Sequence, residues 1–128
     1  MTEKDNRPVN LNLLTISLPI IGLSSILHRI SGLLIFLAFP LLVWLFSISL
    51  KSEESFSYLQ NQFQQLLVFK IIIFLLFVGF LYHVLAGTRK LLADAFGIGE
   101  TLKSGNLISW AVFSLTFLIS LAFIILIL

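Results

Sequence analysis

Residues 71–88, IIIFLLFVGFLYHVLAGT, form an apolar run without a charged side chain, and this run decides the fold class. A helix needs about 20 apolar residues to cross the hydrocarbon core of a bilayer. Two further charge-free runs, residues 30–50 and 104–128, have a comparable length. Each run is continuously apolar, whereas a membrane-barrel strand would alternate lipid-facing and lumen-facing residues. We therefore predict an all-α membrane protein with three transmembrane helices. The predicted helices occupy residues 24–50, 66–92 and 105–128.

The composition of the whole chain supports this fold class. Of the 128 residues, 59% are hydrophobic and 11% are charged, and the mean hydropathy is +1.08. A water-soluble domain of this length lies far from these values. The chain has no cysteine, which excludes disulfides, thiolate-bound metals and iron–sulfur clusters held by this chain. Any redox centre must therefore use other ligands.

The distribution of basic residues predicts the orientation. Six of the eight Lys and Arg residues precede the first span or lie between the second and third, while Lys51 and Lys70 flank the other connection. The positive-inside rule then puts the N-terminus inside and the C-terminus outside. The net charge of +2 is explained by this flanking charge, so no nucleic-acid partner is predicted.

We interpret residues 1–128 as a single membrane-anchor domain. Residues 1–23 are expected to be an N-terminal interfacial segment, and they contain no A-x-A-like cleavage site, so we expect no signal peptide to be removed. The outer connection, residues 51–65, is either an amphipathic turn or two on the membrane surface or an ordinary solvated loop. The inner connection, residues 90–106, is long enough to offer a docking surface. The third span is expected to serve packing and anchoring.

His83 is the one ionisable residue that lies unambiguously inside a span, about 9 Å along the helix from Arg89. A titratable group in lipid is costly and usually faces the interior of a bundle, which favours a functional role. Gly79 and Gly87 lie four residues before and after His83 and share its helix face. This spacing suits a haem plane that lies along the helix with the imidazole as iron ligand. The same pattern also serves plain helix packing.

Lys90 follows His83 by seven residues and returns to the same helix face. A cation at this position suits a haem propionate at the membrane surface. Lys90 is equally explained as part of the basic flank of the second span.

The stretch SSILHRISG, residues 24–32, gathers polar side chains at the entrance to the first span. His28 lies just outside the charge-free run, so we expect it at the interface, as a donor to haem propionates or a head group and not as the second iron ligand. That second ligand is expected from another chain. Ser25 and Arg29 are four residues apart, as are Ser24 and His28, so a hydroxyl and a cation can converge on one carbonyl-bearing ligand. A quinone is such a ligand, because its oxygens gain negative charge and protons on reduction.

Three motifs together resemble the cytochrome b membrane-anchor subunit of succinate dehydrogenase. They are RPVNLNL at Arg7–Leu13, SILHRISG at Ser25–Gly32, and H-x-x-x-G-x-R-K-x-x-x-D at His83–Asp94. They occur in this order and in register with the three spans, so the resemblance covers nearly the whole chain.

The resemblance implies a role for each candidate residue. His83 would be an axial ligand of a b-type haem shared with a second hydrophobic anchor subunit. Ser25 and Arg29 would help form the quinone site beside the iron–sulfur subunit, and His28 and Arg29 would lie near the propionates. The family often has a histidine at the position of Lys90, and lysine keeps its charge over the pH range in which histidine titrates.

The resemblance also implies the function of the whole chain. It would anchor respiratory complex II, in which electrons from succinate pass through a flavoprotein and an iron–sulfur subunit to ubiquinone or menaquinone. The chain would hold no catalytic residue and would not be an enzyme on its own. A bacterial inner membrane is the expected location, with the mitochondrial inner membrane as the alternative.

Three alternatives remain open from the sequence. A fumarate reductase anchor would use the same pockets in reverse. A small proton-coupled oligomeric transporter would use His83 as a proton relay, although no acidic residue lies inside a span to assist it. A structural anchor without a cofactor would use His83 and its neighbouring glycines for packing alone.

Overall fold

The computed structural model describes Asn12 and residues 15–127. The motif at Arg7–Leu13, Asn12 excepted, and most of the predicted interfacial segment therefore lie outside the described residues. Within them the chain is helical, with no strand. Three of its helices are long and apolar enough to cross a membrane, which confirms the predicted all-α fold with three spans. The helices are α1 (Ile20–Ser49), α2 (Glu53–Gln65), α3 (Leu67–Phe96) and α4 (Leu102–Ile127).

The spanning helices extend beyond the charge-free runs from which they were predicted. The first begins at Ile20, directly after Pro19 in an extended conformation, four residues before the predicted start at residue 24. α3 continues past Lys90 and ends where Gly97 adopts a left-handed φ of 68°, a conformation that glycine adopts without a Cβ penalty. Lipid excludes charge, but a helix ends only at a cap or a backbone break. α3 therefore continues through charged residues at both ends of its apolar run, past Lys70 at the start and Arg89 at the end.

The outer connection forms the separate helix α2. The Ser52 hydroxyl caps its N-terminus by accepting a hydrogen bond from the backbone N–H of Ser55 at 3.1 Å. Glu53 and Glu54 occupy the first turn, where negative charge stabilises a helix. Phe63 packs edge-on against Phe69 of α3, with ring centroids 5.3 Å apart. Of the two interpretations left open by the sequence, the structure favours the amphipathic helix.

The core of the bundle lies where α3 packs between α1 and α4. Tyr82, Ala86 and Val112 are buried there. α4 contributes a row of small or hydroxyl-bearing residues that permits close helix approach. The hydroxyls in this row include those of Ser109 and Thr116, which donate to carbonyls of their own helix at 2.7 and 2.8 Å. The buried residues of α4 are Gly105, Ser109, Val112, Thr116 and Ser120.

A side chain of α4 also fixes the start of α1. The Asn106 side-chain oxygen accepts a hydrogen bond from the backbone N–H of Ile21 at 3.0 Å. The first N–H groups of a helix have no partner within the helix, so this bond caps α1 from a neighbouring element. It positions the first turns of α1, which carry the polar stretch at residues 24–32.

Candidate functional site

Two histidines from antiparallel helices lie face to face between α1 and α3. The ring centroids of His28 and His83 are 4.2 Å apart and their planes differ by 10°. The sequence placed His28 at the interface and His83 deeper in the membrane. That difference in depth is wrong, because antiparallel packing brings the two residues to the same level.

Each histidine lies over a glycine of the opposite helix. A Cβ atom added to Gly32 would lie 2.9 Å from Cε1 of His83, and one added to Gly87 would lie 3.2 Å from Nε2 of His28. In both helices the glycine follows the histidine by four residues. The sequence offered Gly87 as room for a macrocycle, but the His28 ring fills that space. A Cβ on Gly79 would meet no atom within 4 Å, so that part of the His83 face is open.

The His83 ring is held through Nδ1. The Ser31 hydroxyl oxygen lies 3.0 Å from Nδ1 and the backbone carbonyl oxygen of His28 lies 3.2 Å from it. Among the residues that the structure describes, no hydrogen bond uses Nε2 of His83. A haem-ligating histidine typically has one ring nitrogen fixed by an acceptor and the other directed at iron. The environment of His83 fits that requirement.

The stacking of the two histidine rings limits the directions in which their nitrogen lone pairs can point. The lone pair of an imidazole nitrogen lies in the plane of the ring. Two axial ligands must direct lone pairs at the metal from opposite sides, whereas stacked rings direct theirs side by side. Stacked rings with nearly parallel planes therefore do not direct nitrogen lone pairs at one metal ion from opposite sides.

Two nitrogen atoms, one on α1 and one on α3, are buried without a partner. They are Nε2 of His28 and Nε of Arg89, neither of which makes a hydrogen bond to the described part of the chain. A buried polar group without a partner costs free energy. The polar groups of a bound cofactor would relieve such a cost.

Ser24 and Tyr82 form a second polar contact between α1 and α3. The Tyr82 hydroxyl donates to the backbone oxygen of Ser24 at 2.8 Å, and the two hydroxyl oxygens lie 3.1 Å apart. Ser24 is fully buried. The expectation that Ser24 joins His28 at a common ligand is therefore wrong. Sequence reasoning missed Tyr82, although a hydroxyl inside an apolar run signals a buried partner.

Ser25 and Arg29 lie one turn apart near the start of α1. Ser25 is partly buried and Arg29 is exposed, and neither makes a hydrogen bond within residues 15–127. Both side chains are therefore available to a ligand or a partner subunit. They are close in sequence to the histidine pair but are not part of its hydrogen-bond network.

Arg89 and Lys90 extend two different faces of α3. Lys90 follows His83 by seven residues, so it lies on the His83 face of α3, and it is exposed. Arg89 follows Tyr82 by seven residues, so it lies on the Tyr82 face. Of the two cations, Lys90 is the one on the histidine side.

Comparison with known proteins identifies the family. Residues 3–123 match the model of the succinate dehydrogenase/fumarate reductase transmembrane subunit. The chain is 34% identical over 112 residues to the succinate dehydrogenase cytochrome b556 subunit of Coxiella burnetii, covering 88% of this chain and 89% of that protein. It is 32% identical over 108 residues to the b556 subunit of Rickettsia bellii, covering 84% and 82% of the two chains. It is 36% identical over 121 residues to the succinate dehydrogenase cytochrome b560 subunit of Reclinomonas americana, covering 91% and 83%. The chain thus belongs to the succinate dehydrogenase/fumarate reductase transmembrane subunit family, as a cytochrome b membrane anchor.

Proposed function

We propose that this chain supplies one axial ligand of a b-type haem and part of the quinone-reduction site of a succinate dehydrogenase complex. The observation that carries the proposal is the environment of His83. Its Nδ1 lies beside two oxygens of α1 while its Nε2 makes no hydrogen bond within the described residues. That is the arrangement an iron ligand requires. When bound, the haem supplies a one-electron centre.

The second axial ligand comes, in this proposal, from a second hydrophobic anchor subunit. Two observations support a ligand from outside the chain. The His28 ring is stacked on His83 and does not lie opposite it, and the His83 face beside Gly79 is open. A partner helix and a macrocycle would both reach the bundle from that open side.

His28, Arg29 and Lys90 line the propionate region in this proposal. Lys90 is exposed on the face of His83, and Arg29 is exposed one residue after His28. Nε2 of His28 is buried without a partner in the described residues. A carboxylate near these groups would gain charge-assisted hydrogen bonds.

Ser25 and Arg29 bind the quinone in this proposal. They share a helix face at the start of α1. A hydroxyl can donate to a carbonyl oxygen, and a guanidinium stabilises the negative charge that this oxygen gains on reduction. Their place near the end of the span also leaves a short path for protons from water.

The remaining components follow from the same proposal. An iron–sulfur subunit and a flavoprotein subunit deliver electrons from succinate, and ubiquinone or menaquinone accepts them. The chain spans a bacterial inner membrane with its N-terminus on the inner side and its C-terminus outside. Family membership does not favour the transporter, and a fumarate reductase anchor would run the same electron path in reverse.

The absorption spectrum of the purified complex tests the haem assignment. We expect His83→Ala to abolish the b-type haem band, because no other group replaces the lost Nε2 ligand. Tyr58→Phe is the control, since Tyr58 is exposed on α2 and belongs to neither proposed binding site, and we expect it to keep the band. A band of wild-type intensity in His83→Ala would refute the assignment.

A further inference from the structure

The orientation of the His83 ring is set by α1 and not by its own helix. Two oxygen atoms of α1 and one ring nitrogen of His83 lie within hydrogen-bonding distance of one another. The Ser31 hydroxyl oxygen lies 2.8 Å from the His28 carbonyl oxygen, and Nδ1 of His83 lies 3.0 Å from the hydroxyl and 3.2 Å from the carbonyl. Ser31 is buried, so water does not compete for this cluster.

An account of the hydrogens in this cluster leaves one arrangement that satisfies every contact. The carbonyl oxygen of His28 can only accept, so Nδ1 must carry a proton to bond with it. The Ser31 hydroxyl has a single proton, which it donates to the same carbonyl. The hydroxyl oxygen of Ser31 and the carbonyl oxygen of His28 then both accept from the single Nδ1–H of His83, as a three-centre hydrogen bond. Both α1 acceptors therefore select the tautomer with the proton on Nδ1, and the lone pair lies on Nε2.

A flip of the His83 ring would not preserve the hydrogen bonds that select this tautomer. A half-turn of the imidazole would exchange Nδ1 for a carbon and remove both hydrogen bonds. The absence of a Cβ on Gly32 lets Cε1 of His83 approach the α1 backbone, and the His28 ring covers one face. The ring is therefore fixed at Nδ1, at Cε1 and on one face, while Nε2 has no hydrogen-bond partner in the described residues.

Other buried hydroxyls in the chain show what a purely local role looks like. Ser109 is fully buried, and its hydroxyl donates to Gly105 of its own helix at 2.7 Å. Ser31 donates within its own helix in the same manner, but its oxygen also reaches across to His83. The contact with His83 distinguishes Ser31 from a serine whose hydroxyl bonds only to its own helix.

We propose that Ser31 is a positioning residue that holds His83 as the Nδ1–H tautomer, together with the His28 carbonyl, and so presents the Nε2 lone pair to the haem iron. The part about iron rests on the proposed function of His83. The choice of tautomer is a property of the chain itself. Hydrogen bonds donated by Nδ1–H raise the basicity of a metal-bound imidazole, which favours the oxidised iron.

The first test is a redox titration of the haem band in the purified complex. Ser31→Ala removes one of the two acceptors, and we expect the reduction potential to rise. At a fixed ambient potential the ratio of reduced to oxidised haem should increase about threefold. The free energy of such a change is a fraction of that of one hydrogen bond. Ser31→Thr restores the hydroxyl and should restore the wild-type potential. Ser109→Ala removes a buried hydroxyl whose hydrogen bond lies within α4, and it should leave the potential unchanged.

The second test reads the tautomer without haem. The full chain, labelled with ¹⁵N-histidine and reconstituted in lipid nanodiscs, should give nitrogen shifts for His83 of a protonated Nδ1 and an unprotonated Nε2. In Ser31→Ala the share of the opposite tautomer should increase, and in Ser109→Ala it should not. Because the wild-type spectrum is informative by itself, this test holds even if a Ser31 variant does not assemble.

The outcomes separate the two proposals. A wild-type chain in which His83 carries its proton on Nε2, or a Ser31→Ala complex with unchanged potential and tautomer, overturns the role of Ser31. Neither result affects the assignment of His83 as ligand. Conversely, a haem band that persists in His83→Ala overturns the ligand assignment, while the nitrogen shifts still decide whether Ser31 sets the tautomer.

Discussion

At the scale of single residues, the histidine pair shows how two copies of one short pattern fit together. His28 and Gly32 on α1 have the same spacing as His83 and Gly87 on α3, and each ring lies over the glycine of the other helix. The two histidines are nevertheless not equivalent. Nδ1 of His83 has two oxygens beside it, whereas Nε2 of His28 is buried without a hydrogen-bond partner in the described residues.

Arg29 is the residue whose replacement tests the proposed quinone site. Arg29→Ala should lower succinate-to-quinone turnover at least about tenfold, since a hydrogen bond to a charged group contributes roughly 1.5–3 kcal/mol and 1.4 kcal/mol corresponds to a factor of ten. Succinate oxidation with an artificial water-soluble acceptor should survive. Lys51→Ala, which removes an exposed cation just after the other end of α1, is the matched control and should affect neither assay. Equal loss of both activities in Arg29→Ala would contradict the role in quinone binding.

At the scale of elements, polar contacts fix the relative positions of three apolar helices. Hydrophobic burial does not distinguish one helix register from another in lipid, so packing and hydrogen bonds must do so. Tyr82 connects α3 to Ser24 of α1, and its ring stacks on Phe113 of α4 with centroids 5.6 Å apart. Asn106 connects α4 to the first turn of α1. The start of α1 is thus held by both neighbouring helices.

Tyr82→Phe tests this element-scale role. The substitution keeps the ring but removes the bond to the Ser24 backbone and the contact with its hydroxyl. We expect it to lower the free energy of unfolding by about 1–3 kcal/mol, because buried polar atoms of Ser24 lose their partner. Unfolding by SDS in mixed micelles, followed by circular dichroism, measures this change.

The control for this prediction is Tyr58→Phe, because Tyr58 is exposed on α2. It should leave the unfolding curve unchanged within about 0.5 kcal/mol. A Tyr82→Phe chain with the stability of the Tyr58→Phe chain would show that the Ser24 contact does not hold α1 and α3 together.

At the scale of the whole molecule, the bundle is thin and leaves most of its apolar surface uncovered. Large side chains along α1 between residues 33 and 46 are exposed, among them Phe36 at 73%. Such a surface is compatible only with lipid or with apolar partner subunits. The buried centre is formed instead by a few small, hydroxyl and aromatic side chains at the level of the histidine pair.

The orientation of the whole molecule is tested by thiol labelling. The chain has no cysteine, so a single introduced cysteine is its sole thiol. We expect Glu54→Cys on α2 to react with a membrane-impermeant maleimide added outside intact spheroplasts. Glu100→Cys, between α3 and α4, should react only after the membrane is opened. The reverse pattern would refute the orientation predicted by the basic residues.

The sequence by itself determined the properties that depend on composition and local spacing. Continuous apolar runs required three membrane helices, and three ordered motifs with an isolated intramembrane histidine were enough to indicate the family. Only the tertiary structure decided which side chains meet. Ser24 and Tyr82 are 58 residues apart, and helical periodicity reports the face on which a residue lies but not its register against another helix. The packing of α1 on α3 therefore decided that His28 is level with His83, that Gly87 accommodates His28, and that Ser31 lies beside Nδ1 of His83.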